Sequence, residues 1–254
     1  FRTQSGMHHL LGRETFLAPV RWDEGAWPVV NATGDISINM NVPTLPLQPF
    51  EARPERNEFD SELGAEWSWL RNPDLSKYKV ADGKLRIYGT AAGTDEAVVS
   101  PSFVCVRQED HNFIAETCLT LGNARSGDKA GMSIYMDSNG HYDICLAKKG
   151  GKTVIETKYR LGSVTHTEEI PYSGSKVWLR LTGNPFRYQL WYSKDGKEFK
   201  AAGTGDTRFL SSETFGNFTG IMLGLWAESP AGKGYADFEY FEYKETVPQM
   251  PRRR

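Results

Sequence analysis

The sequence has 254 residues, 39% hydrophobic and 12% aromatic, with 30 Lys and Arg against 32 Asp and Glu. A formal net charge of -2 sets up no global field toward nucleic acid or an anionic membrane, so the expected partners are neutral or small. No apolar run approaches the ~20 residues of a membrane span, and the three cysteines, Cys105, Cys118 and Cys145, stand at irregular spacing among alternating apolar residues, which reads as buried thiols rather than a disulfide framework or a metal site.

The chain opens on Phe1 with no signal or transit pattern, which reads as a start inside a longer product. FLAPVRW (16–22) and WPVV (27–30) flank the turn Asp23-Glu24-Gly25 and predict one hairpin. In the stretch that follows (41–60), Pro43, Pro46, Pro49 and Pro54 leave no helical period, so it is expected to be an extended connector. The expected division is a hairpin and connector over 1–48, a second domain over 49–246 and a solvated tail over 247–254.

Short strands then recur between turn signals. KLRIYG (84–89), SFVCVRQ (102–108), NFIAETCLTL (112–121), AGMSIYMD (130–137) and HYDICLAK (141–148) alternate in period two, and Ser138-Asn139-Gly140 makes a hairpin turn. TVIETKYRL (153–161), KVWLRLTG (176–183), RYQLWYS (187–193), the turn 194–197, TGIMLGLWA (219–227) and YADFEYFEYK (235–244) continue the series. No segment longer than a turn or two reads as an amphipathic helix. The pattern predicts an all-β protein with two packed antiparallel sheets, a jelly-roll or lectin-like sandwich, with a closed barrel as the weaker reading.

A sugar is held by aromatic faces together with planar polar side chains. In EWSWLRNP, Trp67 and Trp69 share a face that Arg71 continues; either they form a sugar platform or both indoles are core. Met132, Ile134 and Met136 alternate with Ser133, Tyr135 and Asp137, so the first set should face the core. Tyr135, His141 and Asp143, with Arg107 and Gln108, would then line either a polar-aromatic groove or a plain hydrated sheet face.

Two acid clusters, Glu58, Asp60 and Glu62, and Asp237, Glu239 and Glu242, read first as solvated faces. Asp60 or Asp237 would suit a structural calcium. No phosphate-cradling loop and no Gly-x-Ser-x-Gly elbow occurs.

GRETFLAPVRWDEGAWPVVN (12–31) resembles the last blade of the five-bladed propeller of glycoside hydrolase family 43, in its β-xylosidase and α-L-arabinofuranosidase branch. From EFDSELGAEWSWLRNPD (58–74) through SNGHYDI, GDTRFLSS and NFTGIMLGLWA to DFEYFEYK, the chain resembles the concanavalin-like sandwich that follows those propellers, also classed as a family 91 carbohydrate-binding module. The resemblance implies inverting hydrolysis by three carboxylates carried on earlier blades. Nothing here matches their motifs, so no catalytic residue is assigned in this chain, and alone it is expected to lack hydrolytic activity.

The resemblance also implies that Arg13, from the GRE string, reaches the substrate pocket and hydrogen-bonds sugar hydroxyls. His9, near the same strand, would line that pocket, against the ordinary reading of a solvated loop histidine. Phe218 in GNFTG matches a sandwich loop that closes the pocket; the alternative is a core residue opening the next strand. The expected role is therefore an accessory sandwich that completes the substrate pocket of a xylan- or arabinoxylan-degrading exo-glycosidase. Its partners would be those oligosaccharides and the missing propeller; no cofactor is expected to be required, the structural calcium named above being optional. The alternatives are a stand-alone xylan-binding module and, third, a self-sufficient lectin-fold hydrolase using the Glu58 or Asp237 cluster.

Overall fold

The computed structural model describes residues 8–32, 34–36, 40–41, 45–49 and 53–246; the expected tail at 247–254 lies outside them. The chain forms two compact units, one joining residues up to Gly12 to those from Pro54 onward, the other spanning Arg13–Arg53. The boundary read at residue 48 thus falls at 53. Residues 8–12, expected with the hairpin, belong to the larger unit because their backbone is hydrogen-bonded to its loops.

In the smaller unit, β1 (Val20–Arg21) and β2 (Val29–Val30) pair antiparallel, with Val20 opposite Val30. The turn between them closes through the Ala26 N–H on the Asp23 carbonyl at 3.1 Å, with Gly25 at φ +71°, a conformation that glycine adopts without strain. This is the predicted hairpin. It presents Trp22 and Trp27 with 76% and 89% of their surface exposed.

The larger unit begins with β3 (Arg56–Asn57), β4 (Ser68–Trp69), β5 (Tyr78–Ala81), β6 (Lys84–Tyr88), β7 (Ser102–Arg107) and β8 (Phe113–Gly122). It continues with β9 (Lys129–Asp137), β10 (Gly140–Lys149), β11 (Lys152–Leu161), β12 (Val164–Tyr172), β13 (Lys176–Gly183), β14 (Arg187–Ser193) and β15 (Lys200–Asp206). A one-turn helix α1 (Ser212–Phe215) precedes β16 (Met222–Glu228) and β17 (Tyr235–Glu245). One sheet runs β12-β11-β10-β9-β16-β7-β4; the other runs β15-β14-β13-β8-β17-β6-β5, with β3 also on β17. All the pairs within these sheets are antiparallel. The architecture is the two-sheet sandwich, not the barrel.

Period-two alternation explains the packing. On β9 and β10, Met132 lies opposite Ile144 and Ile134 opposite Tyr142, and all four side chains are buried. Leu119, Leu179, Leu181 and Phe238 from the second sheet join them in one core. The three cysteines are buried free thiols.

The outward side of the seven-stranded sheet is also covered. Phe103, Cys105, Tyr135, Cys145 and Trp226 form a second apolar cluster there, distinct from the inter-sheet core. The connection 89–101 between β6 and β7 reaches this face through Thr94 and Asp95. Arg71, at φ 56°, clasps the far part of the connection by donating to the Val99 carbonyl at 3.0 Å and to the Glu96 carbonyl.

Candidate functional site

The segment 8–12 crosses one end of the sandwich. The Ile221 N–H donates to the Leu10 carbonyl at 2.8 Å, the Ser212 N–H to the His9 carbonyl at 3.1 Å, and Arg107 Nη1 to the Leu11 carbonyl at 2.9 Å. Leu10 is fully buried, which fixes the crossing. A Cβ on Gly220 would lie 2.5 Å from the Leu11 oxygen, and one on Gly12, at φ +77°, would lie 2.5 Å from the Gly220 nitrogen. The backbones can approach this closely because both residues are glycine.

His9 is held by Glu213 on α1. The His9 N–H donates to Glu213 Oε2 at 3.1 Å, and His9 Nδ1 meets Oε1 of the same carboxylate in a short contact. Burial pushes the Glu213 carboxyl up, but hydrogen bonds from its own backbone N–H and from His9 outweigh it and hold the group down at about 2. Glu213 is therefore a carboxylate through the whole neutral range. A further histidine, His8, lies 4.0 Å away from the other oxygen.

Just past α1, Gly216 takes φ +67° and ends the turn, as left-handed C-caps do. The loop then lifts Phe218 into solvent with 60% of its surface exposed, while Gly220 pins the loop against Leu11. Phe218 does not start the next strand as core: that strand opens at Met222. Arg13 is exposed and lies in the smaller unit.

On the larger unit, His8, Phe186, Arg187, Asp206, Thr207 and Arg208 line an open recess of about 380 Å³.

The polar-aromatic groove expected on the sheet is not open. His141 is fully buried, and Asp143 and Tyr135 nearly so. Their side chains do point away from the inter-sheet core, but the 89–101 connection covers them: Thr94 Oγ1 donates to Asp143 Oδ2 at 2.7 Å, and His141 Nε2 lies 2.9 Å from Asp95 Oδ1. Ser133 Oγ donates to the other Asp143 oxygen at 2.6 Å. Gln108 is also buried, accepting from the Tyr188 hydroxyl at 2.8 Å and donating to the Asp110 carbonyl at 2.9 Å.

The indole pair is core as well. Trp67 packs edge-on against Phe241 at 5.2 Å, and Trp69 against Tyr78 at 6.2 Å. Arg71 and Arg107 are exposed, but their guanidinium groups serve backbone carbonyls. Neither the five residues expected to line a groove nor the Trp67, Trp69 and Arg71 platform forms an open sugar-binding face.

The acid clusters are ion-paired. Arg86 takes both Asp237 oxygens, at 2.6 and 2.7 Å; Lys176 holds Glu239 at 2.7 Å and Lys244 holds Glu242 at 2.6 Å. Asp60 and Glu62 are exposed in the irregular stretch after β3 rather than on a strand, while Glu58 pairs with Arg56 at 2.6 Å. Among the described residues, no group of three or more His, Cys, Asp or Glu side chains could hold a metal ion.

The contacts that sequence reasoning missed are Glu213 and the recess. Glu213 lies 204 positions from His9, and no spacing rule links them.

The two-sheet antiparallel sandwich, with an aromatic side chain exposed on a loop at one end, has the concanavalin-like architecture. Residues 56–244 match the family described as beta xylosidase C-terminal concanavalin A-like domain, GH43_C2, and the chain belongs to that family. It is 33% identical over 96% of its length to the non-reducing end alpha-L-arabinofuranosidase BoGH43B of Bacteroides ovatus, and 31% identical over 92% to a putative beta-xylosidase of Escherichia coli K12. These alignments cover 47% and 46% of the relatives, so the chain spans about half the length of the curated relatives it matches. Among solved structures, the GH43B of the Bacteroides ovatus xyloglucan locus superposes with a TM-score of 0.84 at 32% identity, covering 96% of this chain and 50% of that one. Xylan beta-1,4-xylosidase from Bacillus halodurans C-125 gives 0.84 at 28% identity, covering 96% and 49%.

Proposed function

We propose that this chain is the C-terminal part of a longer exo-acting glycosidase of the xylosidase and arabinofuranosidase type, and that its sandwich completes the sugar pocket. The carboxylates that cleave the glycosidic bond would come from the part of the polypeptide outside this sequence. The observation that carries this reading is Phe218: a large apolar ring, 60% exposed, raised on a loop that Gly220 and the 8–12 segment lock in place. Such a ring offers a flat apolar face to a pentose, and the His9–Glu213 pair, on the crossing segment and on α1, offers polar groups for a sugar contact. Arg13 enters this reading through the resemblance of the GRE string alone.

Two further features support it. The smaller unit exposes Trp22, Trp27, Leu17 and Val30, an apolar load that a neighbouring blade would cover. The relatives named above are glycosidases about twice as long.

The test is kinetic, on the longer polypeptide with aryl β-xyloside and aryl α-L-arabinofuranoside. Phe218→Ala should lower kcat/KM by roughly tenfold to a hundredfold, the loss expected when a buried aromatic contact of ~1.5–3 kcal/mol is removed. Unchanged kinetics would remove the pocket role and leave the stand-alone sugar-binding reading.

A further inference from the structure

We infer that the recess bounded by His8, Phe186, Arg187, Asp206 and Arg208 is a second saccharide site, fitted to a xylan-type oligosaccharide that carries a carboxylated sugar. The inference rests on the carbohydrate reading above but concerns a different set of residues from the Phe218 loop.

The recess has the two parts that sugar recognition needs. Its apolar part is Phe186, 59% exposed at the tip between β13 and β14. That tip is rigid: Asn184 Oδ1 accepts the N–H groups of Phe186 and Arg187, both at 2.9 Å. Thr207 Oγ1 donates to the Pro185 carbonyl at 2.8 Å, and the Thr207 N–H to the Phe186 carbonyl at 3.1 Å. A ring held this way loses little freedom when a sugar lies on it.

The polar part is planar and predominantly cationic. Arg208 Nε lies 3.4 Å from Asp206 Oδ2, and its guanidinium sits over the Phe209 ring at 4.6 Å, which fixes one cation and one anion side by side. Arg187 brings a second guanidinium, which forms no hydrogen bond or ion pair with another described residue. His8 closes the rim, and the neighbouring carboxylate, Glu213, is held by His9. Two guanidinium groups and one carboxylate line the recess, with the Glu213 carboxylate outside that lining, so its walls carry a positive excess on a chain whose net charge is -2. Guanidinium groups bind carboxylates through paired N–H donors, so the excess selects a sugar acid over a neutral sugar.

The test is calorimetric titration of the 254-residue chain with two probes, glucuronosyl-xylotriose and unsubstituted xylotetraose, at low and high salt. The acidic probe should bind roughly tenfold more tightly, and the advantage should shrink with salt. Arg187→Ala should remove the preference, and Phe186→Ala should weaken both probes. Equal affinity for the two probes, or an Arg187→Ala chain that keeps the preference, would overturn the inference. If neither probe binds while Phe218→Ala still cripples the longer polypeptide, the recess falls and the pocket reading stands. If both probes behave as expected while Phe218→Ala is silent, the pocket reading falls alone.

Discussion

His141 Nε2 lies 2.9 Å from Asp95 Oδ1, and this contact ties the connection between β6 and β7 to the face of the seven-stranded sheet. The imidazole is fully buried, and its other nitrogen lies 3.0 Å from Asp143 Oδ2. Burial alone would lower its pKa, but the Asp143 charge and the close contacts with both carboxylates outweigh that and raise it from 6.5 to about 9. Lys158, which pairs with Asp95, acts against the rise, and Tyr135 stacks on the ring at 5.7 Å.

The sign of the pH effect follows. A group whose folded pKa is raised contributes stability in full below its unfolded value and loses it as pH climbs through the folded one. For His141 that contribution is complete below about pH 6.5 and gone above about 9. Asp143 and Asp95 are both held below 3.8 despite burial, by His141 and their other donors, so their contributions are present above that value and lost toward acid. Hydrogen exchange of residues 90–100, corrected for intrinsic rate, should show greatest protection between about pH 4 and 6.5 and a decline toward pH 9. His141→Gln should destabilise the chain by about 3–5 kcal/mol, because it leaves a buried carboxylate without its counter-charge. A flat profile would contradict this account of the contact.

Trp67 is a core residue and not a sugar platform. Its replacement by alanine should cost about 3–5 kcal/mol in denaturant unfolding, and the fall in stability should come without a selective loss of sugar affinity in the folded fraction. A Trp67→Ala chain of unchanged stability that loses oligosaccharide binding would reverse the assignment.

The close approach of Gly220 to Leu11 makes a separate expectation. Gly220→Ala puts a methyl group 2.5 Å from the Leu11 oxygen, so the crossing segment must move. The cost should be about 1–3 kcal/mol, with hydrogen-exchange protection lost first at Ile221, whose N–H bonds the Leu10 carbonyl. Retained protection there would show that the loop accommodates the methyl without releasing the segment.

Asp237 has both oxygens on Arg86, an arrangement that serves a guanidinium rather than a hard cation. Thermal melts with a chelator and with added calcium should coincide. A rise in Tm with calcium that Asp60→Asn abolishes would place an ion near the start of the sandwich.

Much of this architecture is legible in the sequence because strand alternation is a local property. The parity of β9 and β10 placed Met132, Ile134 and Met136 inward and Tyr135, His141 and Asp143 outward, as found. What parity cannot tell is whether an outward face is wet. The segment AAGTDEAVVSP, which covers it, has no period and gives no sign of where it lies. Trp67 and Trp69 share a face as alternation requires, yet that face is the core. The strand β12 escaped notice because it lies at a sheet edge with mostly exposed side chains; its ladder to β11 holds it, and backbone pairing leaves little mark on composition. The partnership of His9 with Glu213 is legible only once the fold brings α1 to the crossing segment.

The central claim is that Phe218 touches the sugar. The most direct test is a crystal structure of the longer polypeptide with xylose or a xylobiose analogue in its pocket. The account expects carbon atoms of the Phe218 ring within ~4.5 Å of the sugar, the distance of apolar contact. A pocket closed by other residues, with Phe218 left in solvent or packed against protein, would contradict it.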